Sequence, residues 1–147
     1  MRCGLGTDLV EIARFAGWEY KSHAQLARIF TPQEIAYALA SPHKTAERFA
    51  VRFAAREAFF KALHNLLPEA RVPLLTVLRN VHVAHAANGA PQLVINWHAL
   101  HIPADIIQEI DYMQISVKLS LTHTKINALA TVFCFTTSSP AFLQEPA

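Results

Sequence analysis

Between Lys44 and Leu66 the chain reads as one helix that has to lie between two layers, and that requirement governs the rest of the fold. At about 100° per residue, Phe49, Phe53, Phe60 and Leu63 share one stripe. Val51, Ala54, Ala55, Ala58 and Ala62 fall on the far side, where small side chains let another backbone approach closely. The charges lie on two edges: Arg52 and Arg56 four apart on one, Glu57 and Lys61 four apart on the other. Charge among core-type residues is costly when unpaired. These four are therefore either ion pairs on solvated edges or the charged rim of a site for a metal and phosphates.

The flanking segments supply the layers. Gly4 to Ile12 reads as a first strand, and a helix is expected over Trp18–Arg28. Thr31 as N-cap, Pro32 at the first helical position and Glu34 completing a capping box start another helix. It should stop near Ser41-Pro42. After Pro68 the period changes. Leu75–Ala84 reads as a strand, Ala87-Asn88-Gly89-Ala90 as a turn, and Gln92–Trp97 as the returning strand. Leu100–Tyr112 reads as a loop with a short helix. Ile115–Leu121 alternates apolar with polar, and Ala128–Phe135 returns beside it. Helices come mostly first and hairpins mostly last. The expectation is an α+β fold, a long central helix packed on an antiparallel sheet. One domain is expected over residues 1–135, with a mobile tail over 136–147.

The chain has 147 residues, 52% hydrophobic and 16% charged, enough to bury a core and too apolar for disorder. No apolar run approaches the roughly 18 residues of a membrane span, and the start lacks an apolar signal segment. Cys3 and Cys134 show no CxxC spacing and read as buried free thiols. The expected compartment is the cytoplasm. A net charge of +2 is too small to indicate a nucleic-acid partner. The low charge fraction points to a further buried surface, such as a subunit interface.

Asp8 follows a glycine-containing strand, where a carboxylate can face a cleft. With Glu57 it could hold one Mg²⁺, which takes one or two carboxylates plus phosphates and waters. The competing arrangement has Asp8 capping a turn and Glu57 pairing with Lys61. Arg52, Arg56 and Lys61 surround Glu57 with more cations than it can neutralise, which suits an anionic ligand or a solvated edge. Ser120, Thr122 and His123 meet where a strand enters a turn, but no Gly-x-Ser-x-Gly elbow accompanies them. His123 suits phosphate or ribose binding, or acid–base work. The other histidines lack zinc spacing, and neither GxxxxGK[ST] nor a usable GxGxxG occurs.

Five segments in order resemble the holo-acyl-carrier-protein synthases, the small bacterial phosphopantetheinyl transferases. Gly6-Thr7-Asp8-Leu9-Val10-Glu11-Ile12-Ala13-Arg14 is similar to the family's opening strand, and Phe30-Thr31-Pro32-Gln33-Glu34 to its second element. Arg48 to Leu63 resembles its signature helix, Asn88-Gly89-Ala90-Pro91 its hairpin turn, and Val117 to Thr124 its closing Ser-x-x-His strand. The resemblance implies the 4′-phosphopantetheinyl transferase-like fold and transfer of 4′-phosphopantetheine from coenzyme A to a serine of apo acyl carrier protein. It implies Mg²⁺ on Asp8 and Glu57, with Lys61 stabilising charge beside Glu57 and the serine proton passing to Glu57 or to water. Arg52, Arg56, Thr122 and His123 would meet the coenzyme, with Gly89 and Pro91 near its adenine. Arg14 and Arg28 would face the acidic carrier, and the assembly would be a homotrimer with sites between subunits.

Four departures stand out against the family pattern. Arg56 replaces the usual Lys, Ala90 replaces the Lys usual between Gly and Pro, and His64 to Pro68 replaces a glycine-rich segment. The stretch 99–114 is longer than usual. These departures make a non-catalytic relative that binds coenzyme A or a nucleotide the competing reading. An oligomerisation module would leave Asp8, Glu57 and the arginines unexplained.

Overall fold

Strand β1, Cys3–Glu11, buries alternate residues, and the buried ones are Gly4, Gly6, Asp8 and Val10. A Cβ on Gly4 would stand 2.6 Å from the Leu66 nitrogen, and one on Gly6 would stand 2.5 Å from the Ala62 nitrogen. The long helix therefore rests directly on the strand's backbone, an approach that Ala58 and Ala62 on the facing side permit. That helix, α3, spans Thr45–Leu66 as its periodicity predicts.

The computed structural model describes residues 1–109 and 114–137. After β1 come 3₁₀ turns at Ile12–Phe15 and Trp18–Tyr20, then α1 (His23–Leu26), α2 (Pro32–Leu39) and α3. Next are α4 (Leu74–Asn80), β2 (Val81–His85), β3 (Pro91–Ile95), α5 (Ala104–Glu109), β4 (Ile115–His123) and β5 (Asn127–Thr136). Strands β1, β5 and β4 form one antiparallel sheet in that order, and β2 and β3 form a separate hairpin. Asp8 lies opposite Ala130, which lies opposite Leu121; Val10, Ala128 and His123 form a parallel row one step along. This is the expected α+β architecture.

The inner face of β5 (Ala128, Ala130, Val132, Cys134) is buried under α3. Beyond it, Phe15, Trp18, Phe30, Phe49 and Phe53 stack on one another, with Phe30 and Phe49 centroids 4.7 Å apart. The outer face is bare in this chain: Leu5, Leu9 and Phe133 are 58%, 61% and 40% exposed. Among the described residues no helix is long and apolar enough to cross a membrane.

Three expectations are corrected. Trp18–Arg28 is not one helix, because Ser22 caps a fresh start, receiving the Gln25 N–H while the Gln25 side chain answers its own. Residues 74–80 are helical rather than extended. Leu74, Val77 and Leu78 fall at i, i+3 and i+4, and Val77 and Leu78 fill the core, so the strand starts only at Val81. Cys3 is exposed, and only Cys134 is a buried thiol. The final strand runs Asn127–Thr136, and the Thr136 N–H reaches the Arg2 carbonyl. The rest of the expected tail, 138–147, lies outside the described residues, as do residues 110–113 of the long connection.

Candidate active site

Asp8 is drawn beneath α3 by the same alternation that buries Gly4 and Gly6. Its Oδ1 accepts from Lys61 Nζ at 2.8 Å, and the same ammonium donates to the Thr7 carbonyl at 2.9 Å. Its Oδ2 is buried and has no donor. Glu57 stands beside it. Burial, then the charge of and hydrogen bonding with Asp8, hold the Glu57 carboxyl above the usual carboxylate range, against the pull of Arg14 and Lys61. Two carboxylates facing each other have only acceptors, so a hydrogen bond between them requires one shared proton. A small divalent cation resolves the same repulsion without the proton.

The residues fit Mg²⁺. Two carboxylates and an orphaned buried oxygen supply the protein's share of a coordination shell that is otherwise phosphate and water. Among the described residues no group of three or more His, Cys, Asp or Glu forms an all-protein metal cage. The expected alternative, Glu57 paired with Lys61, is replaced by the Lys61–Asp8 bridge.

The other edge of α3 is divided. Arg56 is fully buried and ion-paired to Glu34, and it also donates to the Arg52 carbonyl at 3.1 Å. Glu34 accepts in addition from the Val83 and Thr31 N–H groups. Arg56 is thus a brace between α2, α3 and β2, and the expectation that it meets coenzyme is corrected: no part of it reaches solvent. Arg52 is also buried, and its Nε, like that of Arg56, has no acceptor. Its guanidinium lies 4.2 Å from the centre of the Tyr37 ring, as does that of Arg48.

Arg52 borders a cavity of about 510 Å³ between α2 and β2, lined by Thr31, Gln33, Glu34, Tyr37 and the 82–85 segment. A second cavity of about 150 Å³ continues past Tyr37 and His85 to Glu47, Leu121 and His123. His123 Nε2 is 3.5 Å from Glu47. Arg52 and His123 are therefore brought together. Gly89 (φ +82°) and Pro91 shape the hairpin whose opposite residue is His85. Thr122 is not brought in: it lies in the row of Leu9 and Leu129, on the sheet's outer face.

A family model described as the 4′-phosphopantetheinyl transferase superfamily matches residues 4–124. A holo-[acyl-carrier-protein] synthase of Treponema denticola is 36% identical over 132 residues, 90% of this chain and 97% of its own. This chain belongs to the holo-[acyl-carrier-protein] synthase family of phosphopantetheinyl transferases. The crystal structure of the Neisseria meningitidis synthase, 31% identical, covers 90% of this chain and 98% of its own with a TM-score of 0.65. The Chronobacterium ammoniagenes ACPS–CoA complex shares the fold at a TM-score of 0.72 and 24% identity, covering 94% of this chain and all of its own.

In this synthase Arg14 and Arg28 are both exposed, Arg14 lying 5.1 Å over the Phe53 ring on the Glu57 side of α3. Sequence reasoning missed Glu34 as a buried ion-pair partner, Arg48 beside Arg52 at Tyr37, and His85. Only the last carried a signal: the alternation of Val81, Val83 and His85 puts it on the core-facing side of β2.

Proposed function

We propose that Asp8 and Glu57 hold Mg²⁺ on the pyrophosphate of coenzyme A, and that the chain moves 4′-phosphopantetheine to a serine of apo acyl carrier protein, the activation that fatty acid synthesis requires. The observation that carries this reading is the buried Asp8 carboxylate, whose Oδ2 has no donor, beside a Glu57 carboxyl of raised proton affinity. When bound, the metal supplies positive charge to the pyrophosphate oxygens. Lys61 has three N–H donors; Thr7 and Asp8 fix two, and the third is left for charge that builds on the leaving group. The serine oxygen bonds to the phosphorus nearest pantetheine, the pyrophosphate P–O bond breaks, and adenosine 3′,5′-bisphosphate leaves. Glu57 takes the serine proton. Such a reaction depends on placement and charge more than on covalent help.

The two edges of α3 also support a homotrimer. The acid pair lies by β1 and the Arg52–His123 cavity by β4, with β5 between them and the helix across the inner face. One coenzyme bridging both kinds of group is completed by a neighbouring copy, docked on the bare face of Leu5, Leu9 and Phe133. Arg14 and Arg28 receive the acidic carrier at the acid-pair end, and the enzyme works in the cytoplasm.

The test is to incubate the protein with apo carrier, coenzyme A and Mg²⁺ and to weigh the carrier. A phosphopantetheine gain is expected, abolished by chelation; no gain across several carriers and Mg²⁺ concentrations would falsify the reading. Mixing Glu57→Gln with His123→Ala subunits, each inactive alone, restores part of the turnover if sites are shared. No recovery in mixed oligomers would refute the interface sites.

A further inference from the structure

The acid pair has two cations beside it, and only one of them is committed. Lys61 is held by the Thr7 carbonyl and by Asp8, both on β1. Arg14 is exposed, and among the described residues no carboxylate bridges to it. Its guanidinium rests over the Phe53 ring at 5.1 Å. Phe53 lies four residues before Glu57 on α3, so ring and carboxylate are neighbours on one face of the helix. From there the Arg14 charge acts on the Glu57 carboxyl.

The backbone beneath Arg14 is pinned, whereas its side chain is not. At one end of the 3₁₀ turn the Ile12 N–H donates to the Ile126 carbonyl at 2.8 Å. At the other end Phe15 is buried, its ring 4.6 Å from that of Trp18 and 5.5 Å from that of Phe53. A long cationic side chain held only by a ring face can turn to a better partner without disturbing the turn that carries it. A carboxylate on a docking protein, met by the fork of the guanidinium and shielded from water, is such a partner.

A cation within a helical turn of Glu57 repels any divalent ion that Glu57 and Asp8 hold together. We propose that Arg14 links carrier docking to metal binding: in the free protein its charge weakens the hold of the acid pair on Mg²⁺, and an acidic carrier that takes up the guanidinium lifts that restraint. This inference rests on the proposed function. By linkage, the factor by which carrier tightens Mg²⁺ is the factor by which Mg²⁺ tightens carrier. Solvent and salt screening at an exposed arginine hold that factor to about threefold. The site thus grips its metal most firmly once the accepting protein is in place. Arg28 supplies the contrast: it is exposed too, and it is not among the groups that act on Glu57.

The experiment takes the Mg²⁺ dissociation constant of the whole chain from the rise of Tm with Mg²⁺ alone, at fixed ionic strength and without coenzyme. The dissociation constant of apo carrier is then measured with and without saturating Mg²⁺, again without coenzyme, so that no transfer occurs. Wild type, Arg14→Gln, Arg14→Lys and Arg28→Gln are compared. Arg14→Gln should bind Mg²⁺ about threefold more tightly than wild type and lose the gain in carrier affinity that Mg²⁺ gives. Arg14→Lys keeps the charge and should match wild type toward Mg²⁺. Arg28→Gln should bind carrier more weakly with its Mg²⁺ affinity and its Mg²⁺-dependent gain unchanged, which accounts for any ion held by the carrier itself. An Mg²⁺ affinity unchanged in Arg14→Gln, or a carrier gain that survives in it, overturns the proposal alone, provided wild type still transfers phosphopantetheine. Wild-type protein that makes no holo carrier overturns the underlying reading and this proposal with it.

Discussion

Gly6→Ala tests the packing that makes the site. The added Cβ would stand 2.5 Å from the Ala62 nitrogen and closer still to the Ala58 carbonyl oxygen, against a floor of 3.0 Å that real Cβ atoms respect. Both neighbours are backbone, so no side chain can swing aside; α3 has to lift from β1 by at least about 0.5 Å. Overpacking of this kind costs about 1–3 kcal/mol. In a domain of this size that lowers Tm by roughly 2–10 °C. The lift also pulls Lys61 and Glu57 away from Asp8, which is held by the sheet. Misplacement approaching 1 Å at a reacting centre costs up to about 100-fold. Scanning calorimetry and steady-state transfer to apo carrier measure the two effects. A folded Gly6→Ala protein with wild-type Tm and wild-type kcat would refute the claim that direct helix-on-strand contact positions the acid pair.

Three further outcomes follow from the same geometry. Glu34→Gln leaves the Arg56 charge buried without its carboxylate and should lower stability by about 3–5 kcal/mol in urea titrations, whereas Glu34→Gln combined with Arg56→Met should lose less; equal losses would show that the pair is not a brace. Glu57 binds its proton more tightly in the folded chain than in the unfolded one, so its contribution is complete below the ordinary carboxylate value of 4.5 and is lost as pH rises through its raised value. Mg²⁺ replaces that proton, and the Tm gain on adding Mg²⁺ should be larger at pH 8 than at pH 5; a pH-independent gain would place the ion elsewhere. Arg14→Glu should raise KM for the carrier several-fold at low salt and flatten its salt dependence, and an unchanged salt profile would remove Arg14 from the carrier surface.

Features governed by local chemistry were legible in the sequence, and features governed by distant partners were not. The Thr31, Pro32 and Glu34 start of α2 depends on three adjacent residues, and it forms with both halves of its capping box. Lys61 looked like the partner of Glu57 because they lie one turn apart. The fold instead offers it Asp8, 53 residues away, whose burial makes it the more demanding acceptor. Arg56 carried the same ambiguity. Nothing near it reveals that Glu34, 22 residues earlier, turns its carboxylate inward to meet the guanidinium while capping α2. Residues 74–80 misled through Thr76 and Val77, which suit a strand, whereas Leu74, Leu75 and Leu78 suit a helix and core contacts at i, i+3 and i+4 prevailed.

The position of the acid pair follows from a near match between two repeats. Four residues of helix rise about 6.0 Å, and two residues of strand advance about 6.8 Å. Gly4 meets the Ala62–Leu66 turn and Gly6 meets the Ala58–Ala62 turn, so the next inward residue of β1 must fall about one turn further back along α3. That residue is Asp8. The turn it reaches, 54–58, carries Glu57, and Lys61 reaches back to it from the turn that covers Gly6. The drift of about 0.8 Å per step is small over this distance and would separate the partners over a longer strip. A carboxylate two places earlier would have collided with the helix backbone, as a Cβ at Gly6 does. Asp8 is thus the first inward position on β1 beyond the glycine contacts where a side chain fits and still lies within reach of both edges of the turn.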